Sequence, residues 1–166
     1  MSAEHAVIIR PYQAADAAAT LDVFLRAIRE TASQNYTPAQ INAWASADIE
    51  LDEWAEKRGS ARTVVATLGG RVVGFSDLDS DGYIDMLFVD PSAARRGVAS
   101  ALLARLCATA TDRGMAALTT HSSVTARPFF EANGFTVTET RQPVVRGVTL
   151  TNHAMRRVLA AHSDQR

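Results

Sequence analysis

The chain holds a single cysteine, Cys107, in 166 residues, so no disulfide closes within it, and a lone thiol on an apolar helical face reads as a buried, inert one rather than a nucleophile or ligand. It also lacks an excess of either charge. Lys plus Arg number 17 against Asp plus Glu 18, with no long block of one sign, which argues against an electrostatic grip on nucleic acid or an anionic membrane and favours a small neutral or zwitterionic partner. No run of about 18 apolar residues and no charged-then-apolar leader is found, so a cytoplasmic protein is expected. Internal repeats and low-complexity linkers are missing too. What remains fits one domain over residues 1–160 with a frayed polar tail at 161–166.

Apolar spacing supplies the elements. Ala6–Arg10 closes at Pro11 and reads as a first strand. From Asp16, the residues Ala17, Leu21, Phe24, Leu25 and Ile28 recur at helical intervals and fade near Thr31–Asn35. Thr37-Pro38 caps a second helix through Ile41, Trp44 and Ala45, and Asp52–Gly59 gives a third, stopped at the glycine. Strand patterns follow: Arg62–Leu68 and Arg71–Leu78, joined by a Gly69-Gly70 hairpin turn, then Tyr83–Val89 after Ser80-Asp81-Gly82, forming an antiparallel meander. Val98, Leu102, Leu106 and Ala110 line one helical stripe ended at Gly114. Ala116–Ser122 is a strand that its helical crossover allows to lie parallel to its neighbour. Thr125 is expected to cap the next helix, with Pro128 in its first turn and Asn133-Gly134 at its end. Phe135–Arg146 and Val148–Arg157 make two last strands turning at Gly147.

One stretch, Phe88–Leu103, concentrates chemistry. An apolar strand ends at Asp90-Pro91, crosses Ser92-Ala93-Ala94-Arg95-Arg96-Gly97, and enters a helix. Small residues, positive charge and a helix N-terminus converge there, an arrangement that suits a phosphorylated ligand, although an ordinary strand-to-helix connection has the same outline.

Two motifs in order, Leu87-Phe88-Val89-Asp90-Pro91 with Arg95-Arg96-Gly97-Val98-Ala99, and Ala126-Arg127-Pro128-Phe129-Phe130-Glu131-Ala132-Asn133-Gly134-Phe135, resemble the GNAT superfamily of N-acetyltransferases. The stretches Ala32–Trp44 and Arg146–Met155 further resemble its YafP-like branch. The resemblance implies an α/β (α+β) fold, with a mixed, mostly antiparallel central sheet of about seven strands flanked by helices on both faces. It implies acetyl-CoA as cosubstrate and no metal, with an amine of a small molecule or peptide as acceptor, and a monomer or homodimer. The pyrophosphate would rest on the amides of Arg95, Arg96, Gly97, Val98, Ala99 and Ser100. The family's leading Gln or Arg is Ala94 here, which leaves Arg95 and Arg96 to supply charge. Backbone groups of Leu87 and Val89 would pair with the pantetheine arm as an added strand, and an N–H near Phe88 or Val89 would serve the oxyanion.

The implied reaction needs an acceptor deprotonated, an oxyanion stabilised and a thiolate released. Asp85 is the candidate base, since strand alternation puts it on one face with Leu87 and Val89; a structural hydrogen bond is the alternative. Asp77 and Glu131 are weaker candidates. The tyrosine that often protonates the thiolate aligns with Phe130, which has no proton to give. Ser123 stands where many relatives place an asparagine that touches the coenzyme, and Tyr83, His121 and Ser122 are further polar groups near it. A thiol near its reference value of about 8.5 also leaves without an enzymic acid. Tyr36 and Trp44 are candidate acceptor-site walls, with core packing as the other possibility. The loss of the tyrosine acid leaves a non-catalytic acyl-CoA sensor as the alternative function, and a hydroxyl acceptor fits the same cofactor half.

Overall fold

The computed structural model describes residues 6–160. The predicted tail at 161–166 lies outside them. Ten strand segments form two four-stranded sheets and a small hairpin. The first sheet runs β1 (Ile8–Pro11), β2 (Val64–Leu68), β3 (Arg71–Ser76) and β5 (Leu87–Val89), all antiparallel. The second runs β4 (Tyr83–Ile84), β6 (Ala117–Ser123), β10 (Asn152–Val158) and β7 (Thr136–Arg141), with β4 and β6 parallel. The single strand expected over Tyr83–Val89 is therefore two: its first half joins one sheet, its second half the other, and Asp85-Met86 links them without pairing.

Helices cover the first sheet on both sides. On one, α1 (Ala17–Arg26), a π-helical turn at Ala27–Thr31, α2 (Pro38–Trp44) and α3 (Leu51–Ser60) bring Val23, Phe24, Ile28 and Trp54 against Val65 and Phe75. On the other, Val98 and Leu102 of α4 (Val98–Asp112) pack on Ala66 and Val73. Side chains as fully enclosed as Phe75 and Ile28, both 0% exposed, contribute about 1.5–3 kcal/mol each. Close approach of α4 depends on Gly74. A Cβ there would sit 2.9 Å from Val98 Cγ1 and 3.0 Å from the Phe88 carbonyl, inside contact distance. Further along, Leu103, Leu106 and Ala110 of α4 meet Leu118, Met155 and Phe130 of α5 (Arg127–Ala132), closing one face of the second sheet.

Several local expectations are corrected. The long first helix gives way to the π turn and then a short 3-10 turn at Ala32–Gln34. Gly59 does not stop α3, which continues to Ser60. Ser123, not Thr125, caps the turn before α5: its Oγ accepts the Ala126 N–H at 3.0 Å, while Thr125 Oγ1 donates to Asn35 Oδ1. The last two strands are shorter and flank an inserted hairpin of β8 (Val144–Val145) and β9 (Val148–Thr149). Cys107 is half-buried rather than enclosed, and the Arg157 guanidinium lies 3.4 Å from its sulfur.

Candidate active site

Because β5 pairs only with β3, its other edge is open. Phe88 stands opposite Phe75, the Asp77 N–H donates to Met86 O at 3.2 Å, and the Asp90 N–H donates to Val73 O at 2.7 Å. Residues of an antiparallel pair alternate between those bonded to the partner and those directed away. Met86, Phe88 and Asp90 therefore face β3, and the N–H and C=O groups of Leu87 and Val89 face the gap between the two sheets. These are the two residues expected to offer backbone groups to an extended ligand. Of the two positions considered for an oxyanion donor, this leaves Val89 free and commits Phe88.

The gap leads to the loop at its upper end. Asp90, 2% exposed, accepts from the N–H and Oγ of Ser92 and from Arg26 at 3.0 Å. Burial pushes its pKa up, but the Ser92 bonds and the Arg26 charge outweigh that and hold it below the ordinary value. Arg95 and Gly97 then take left-handed conformations, φ 62° and 76°, so the chain reverses into α4. No atom comes within 4 Å of a Cβ built on Gly97, so its requirement is conformational. Arg95 and Arg96 are exposed and pair with no carboxylate among the described residues. The N–H groups of the first turn of α4 have no intrahelical acceptor and carry the positive end of the helix dipole.

Below the loop a cavity of about 730 Å³ opens along the gap. Asp85, Leu87, Phe88, Val89, Ala99, Ser123 and Phe130 all line it, as do Tyr36 and Trp44. Of the loop residues only Ala99 lines it; Arg95, Arg96, Gly97, Val98 and Ser100 stand outside, with the Val98 side chain in the core. Leu87 and Val89 pack among residues of α4 while lining the cavity. Asp85 stands exposed within the unpaired link, where regular strand alternation is interrupted, and its charge acts on Tyr83 and His121. Tyr83 Oη lies 3.1 Å from His121 Nδ1, ring centroids 5.2 Å apart. Partial desolvation and the Arg141 charge lower the His121 pKa, which favours its neutral imidazole. Glu131, exposed and paired with Arg127 at 2.8 Å, is away from the cavity. A model of the acetyltransferase (GNAT) domain matches residues 32–157. The chain belongs to the GNAT family.

Its relatives agree. It is 43% identical over 148 residues to the uncharacterized N-acetyltransferase YafP of Escherichia coli K12, covering 89% of this chain and 93% of that one, in keeping with the branch its sequence resembles. A GCN5-related N-acetyltransferase structure from Rhodopseudomonas palustris superposes with a TM-score of 0.88 at 34% identity, covering 92% and 95% of the two chains. A putative acetyltransferase, yncA of Salmonella typhimurium, solved with its cofactor acetyl-CoA, shares the fold at a TM-score of 0.69 and 21% identity, over 97% and 98%.

In this GNAT chain the far wall of the cavity comes from the N-terminal helices and the last hairpin. Tyr36 is 8% exposed; its hydroxyl donates to Thr151 O at 2.7 Å and accepts the Val124 N–H at 2.9 Å. Its oxygen is thus spent on joining three segments, and its ring, 5.5 Å from Trp44, forms the wall. Phe130 packs edge-on against Phe129 and Phe135, which gives it a structural role alongside its place in the lining. Asp48, Glu50, Glu53 and Arg58 also line the cavity and were not singled out from the sequence. Glu53 and Arg58 lie in α3, and Asp48 and Glu50 in the connection from α2; the one signal in the sequence is their place in the N-terminal region expected to wall the acceptor. Among the described residues no group of three or more His, Cys, Asp or Glu is arranged to hold a metal ion, and no helix is long and apolar enough to cross a membrane.

Proposed function

We propose that this chain moves the acetyl group of acetyl-CoA to an amine of a small molecule or peptide, by direct attack within a ternary complex. The observation that carries this reading is the free Leu87–Val89 edge, running from the Gly97 loop into a cavity with Asp85 at its other end. The loop amides from Arg95 to Ser100, with the two unpaired arginines, receive the pyrophosphate. The pantetheine arm pairs along Leu87 and Val89, and the Val89 N–H donates to the developing oxyanion.

Asp85 draws the acceptor's ammonium and takes its proton. Neutral His121, beside it and held by Tyr83, gives that proton a second resting place. The Ser123 hydroxyl accepts from Ala126 but keeps its own proton to donate toward the thioester. Phe130 supplies no acid, so the thiolate departs by virtue of its own low pKa and is protonated afterwards by water. Tyr36 and Trp44 wall the acceptor.

Calorimetry with acetyl-CoA tests the cofactor half; no heat at millimolar ligand removes the reading. Free-thiol release across a panel of primary amines tests the rest. Turnover is expected to fall by about 10²-fold in Asp85→Ala, within the range general-base removal produces, and by less in Ser123→Ala. Binding with no turnover on any amine replaces the enzyme with an acyl-CoA sensor.

A further inference from the structure

Asp77 is a buried carboxylate, 3% exposed, that the reaction above does not use. Its Oδ1 accepts the N–H of Asp85 at 2.8 Å and of Met86 at 3.1 Å. Its own N–H donates to the Met86 carbonyl at 3.2 Å, and the hydroxyl of neighbouring Ser76 donates to that carbonyl at 2.7 Å. Ser76 and Asp77 thereby satisfy both N–H groups and one carbonyl of the dipeptide where β4 parts from β5. Sheet amides left without partners away from water are costly. Asp77 Oδ1 is the acceptor that both amides have among the described residues.

The other oxygen, Oδ2, accepts from Arg58 at 3.2 Å. Arg58 is 4% exposed, lies 4.9 Å over the Trp54 ring, and leaves its Nε without a partner. A buried ion pair of this kind is poor value for stability, since apolar replacements of similar volume often do as well or better. The side chains facing Asp77 are Arg58 from α3 and Asp85 from the link. The first fixes its orientation, and the second repels its charge.

We propose that Asp77 is the positioning residue of the cofactor slot: its carboxylate fixes the Asp85-Met86 break at which β5 leaves the line of β4 and parts from β6, so that the Leu87 and Val89 backbone groups face the coenzyme, and Arg58 keeps that carboxylate aimed. The inference rests on the reading that the coenzyme's arm lies along this edge. It goes beyond that reading in assigning what keeps the edge open.

Two double variants isolate the oxygen. Asp77→Asn with Arg58→Met and Asp77→Leu with Arg58→Met both remove the buried charges; only the first keeps an acceptor for the two amides. The leucine pair is expected to bind acetyl-CoA about tenfold or more weakly than the asparagine pair, the scale of loss a small misplacement of a binding group produces. Equal affinity in the two folded variants overturns the proposal. Should the leucine pair not fold, amide exchange in the wild-type protein decides. Asp85 and Met86 N–H groups protected like those of β3 support the clamp, and exchange as fast as in an exposed loop sinks it. Amide shifts of Leu87 and Val89 on adding acetyl-CoA to the wild type test the underlying reading separately, since their absence removes the slot without bearing on the clamp.

Discussion

The two sheets meet at the site but are built differently. β2 and β3 are covered on both sides, by α1 and α3 on one and α4 on the other, and Val65, Ala66, Val73 and Phe75 are all 0% exposed. β6 and β10 alternate, burying Leu118, Thr120, Ser122, His153 and Met155 while the residues between them stay partly open. The edge strand β7 has no fully buried residue. One sheet is a closed core and the other a half-open wall, and the cavity lies where they part. A closed core fixes the free edge of β5 in place, while a wall open on one face leaves the cavity beside it.

That contrast is sharpest in truncation. Phe75→Ala is expected to cost about 3–5 kcal/mol, and Val137→Ala on half-buried β7 well under that, by urea unfolding; equal losses would erase the distinction between the sheets. Next is pH. Burial pushes Asp77 up to about 6 from an ordinary value of 3.8. Between those values the folded chain holds a proton that the unfolded chain has released, so stability falls as pH rises through the window, by up to about 3 kcal/mol, and is flat above it. Asp16, lowered chiefly by its bond from Arg10, acts oppositely, losing stability only in stronger acid. Melting curves at pH 4.5 and 7 should therefore differ in this sense for the wild type and lose that difference in Asp77→Asn.

A smaller effect is expected where the two regions are tied. Tyr36→Phe removes the oxygen shared by Thr151 and Val124 and should cost about 1–3 kcal/mol, with a rise in acceptor KM larger than any change in the acetyl-CoA KM. The smallest is at the cavity rim. Glu53 and Lys57 pair at 3.1 Å while both remain about two-thirds exposed, so Glu53→Gln should shift stability by no more than about 0.5 kcal/mol. If the same variant changes which amines turn over, the rim reads acceptor charge.

Much of this was legible in the chain. The Gly69-Gly70 hairpin, the amphipathic spacing of α1 and α4, and the Arg95–Ala99 turn each depend on neighbours in sequence, and local chemistry specifies them. The break at Asp85-Met86 does not. Tyr83–Val89 reads as one β-rich run, and what divides it is the carboxylate of Asp77, eight residues back, which on sequence alone is one more acidic side chain near a strand end. Arg58 was hidden for a related reason: its meaning comes from being enclosed beside Trp54, and an arginine in a short polar helix carries no mark of burial. Of the acceptor wall, the aromatic Tyr36 and Trp44 are legible in the sequence; Asp48, Glu50 and Glu53 are not, because they reach the cavity through the packing of α3 and the turn before it.

Gly74 does not line the cavity, yet the first turn of α4 rests on it. Because a hydrogen stands where other residues would carry a carbon, Val98 and Leu102 settle against the sheet. A methyl group at that one position would press on Val98 and Leu102, in the first turns of α4, and displace the end of the helix that follows the Gly97 loop. The placement of that loop is thus set partly from inside the sheet, by the one atom that a glycine leaves out.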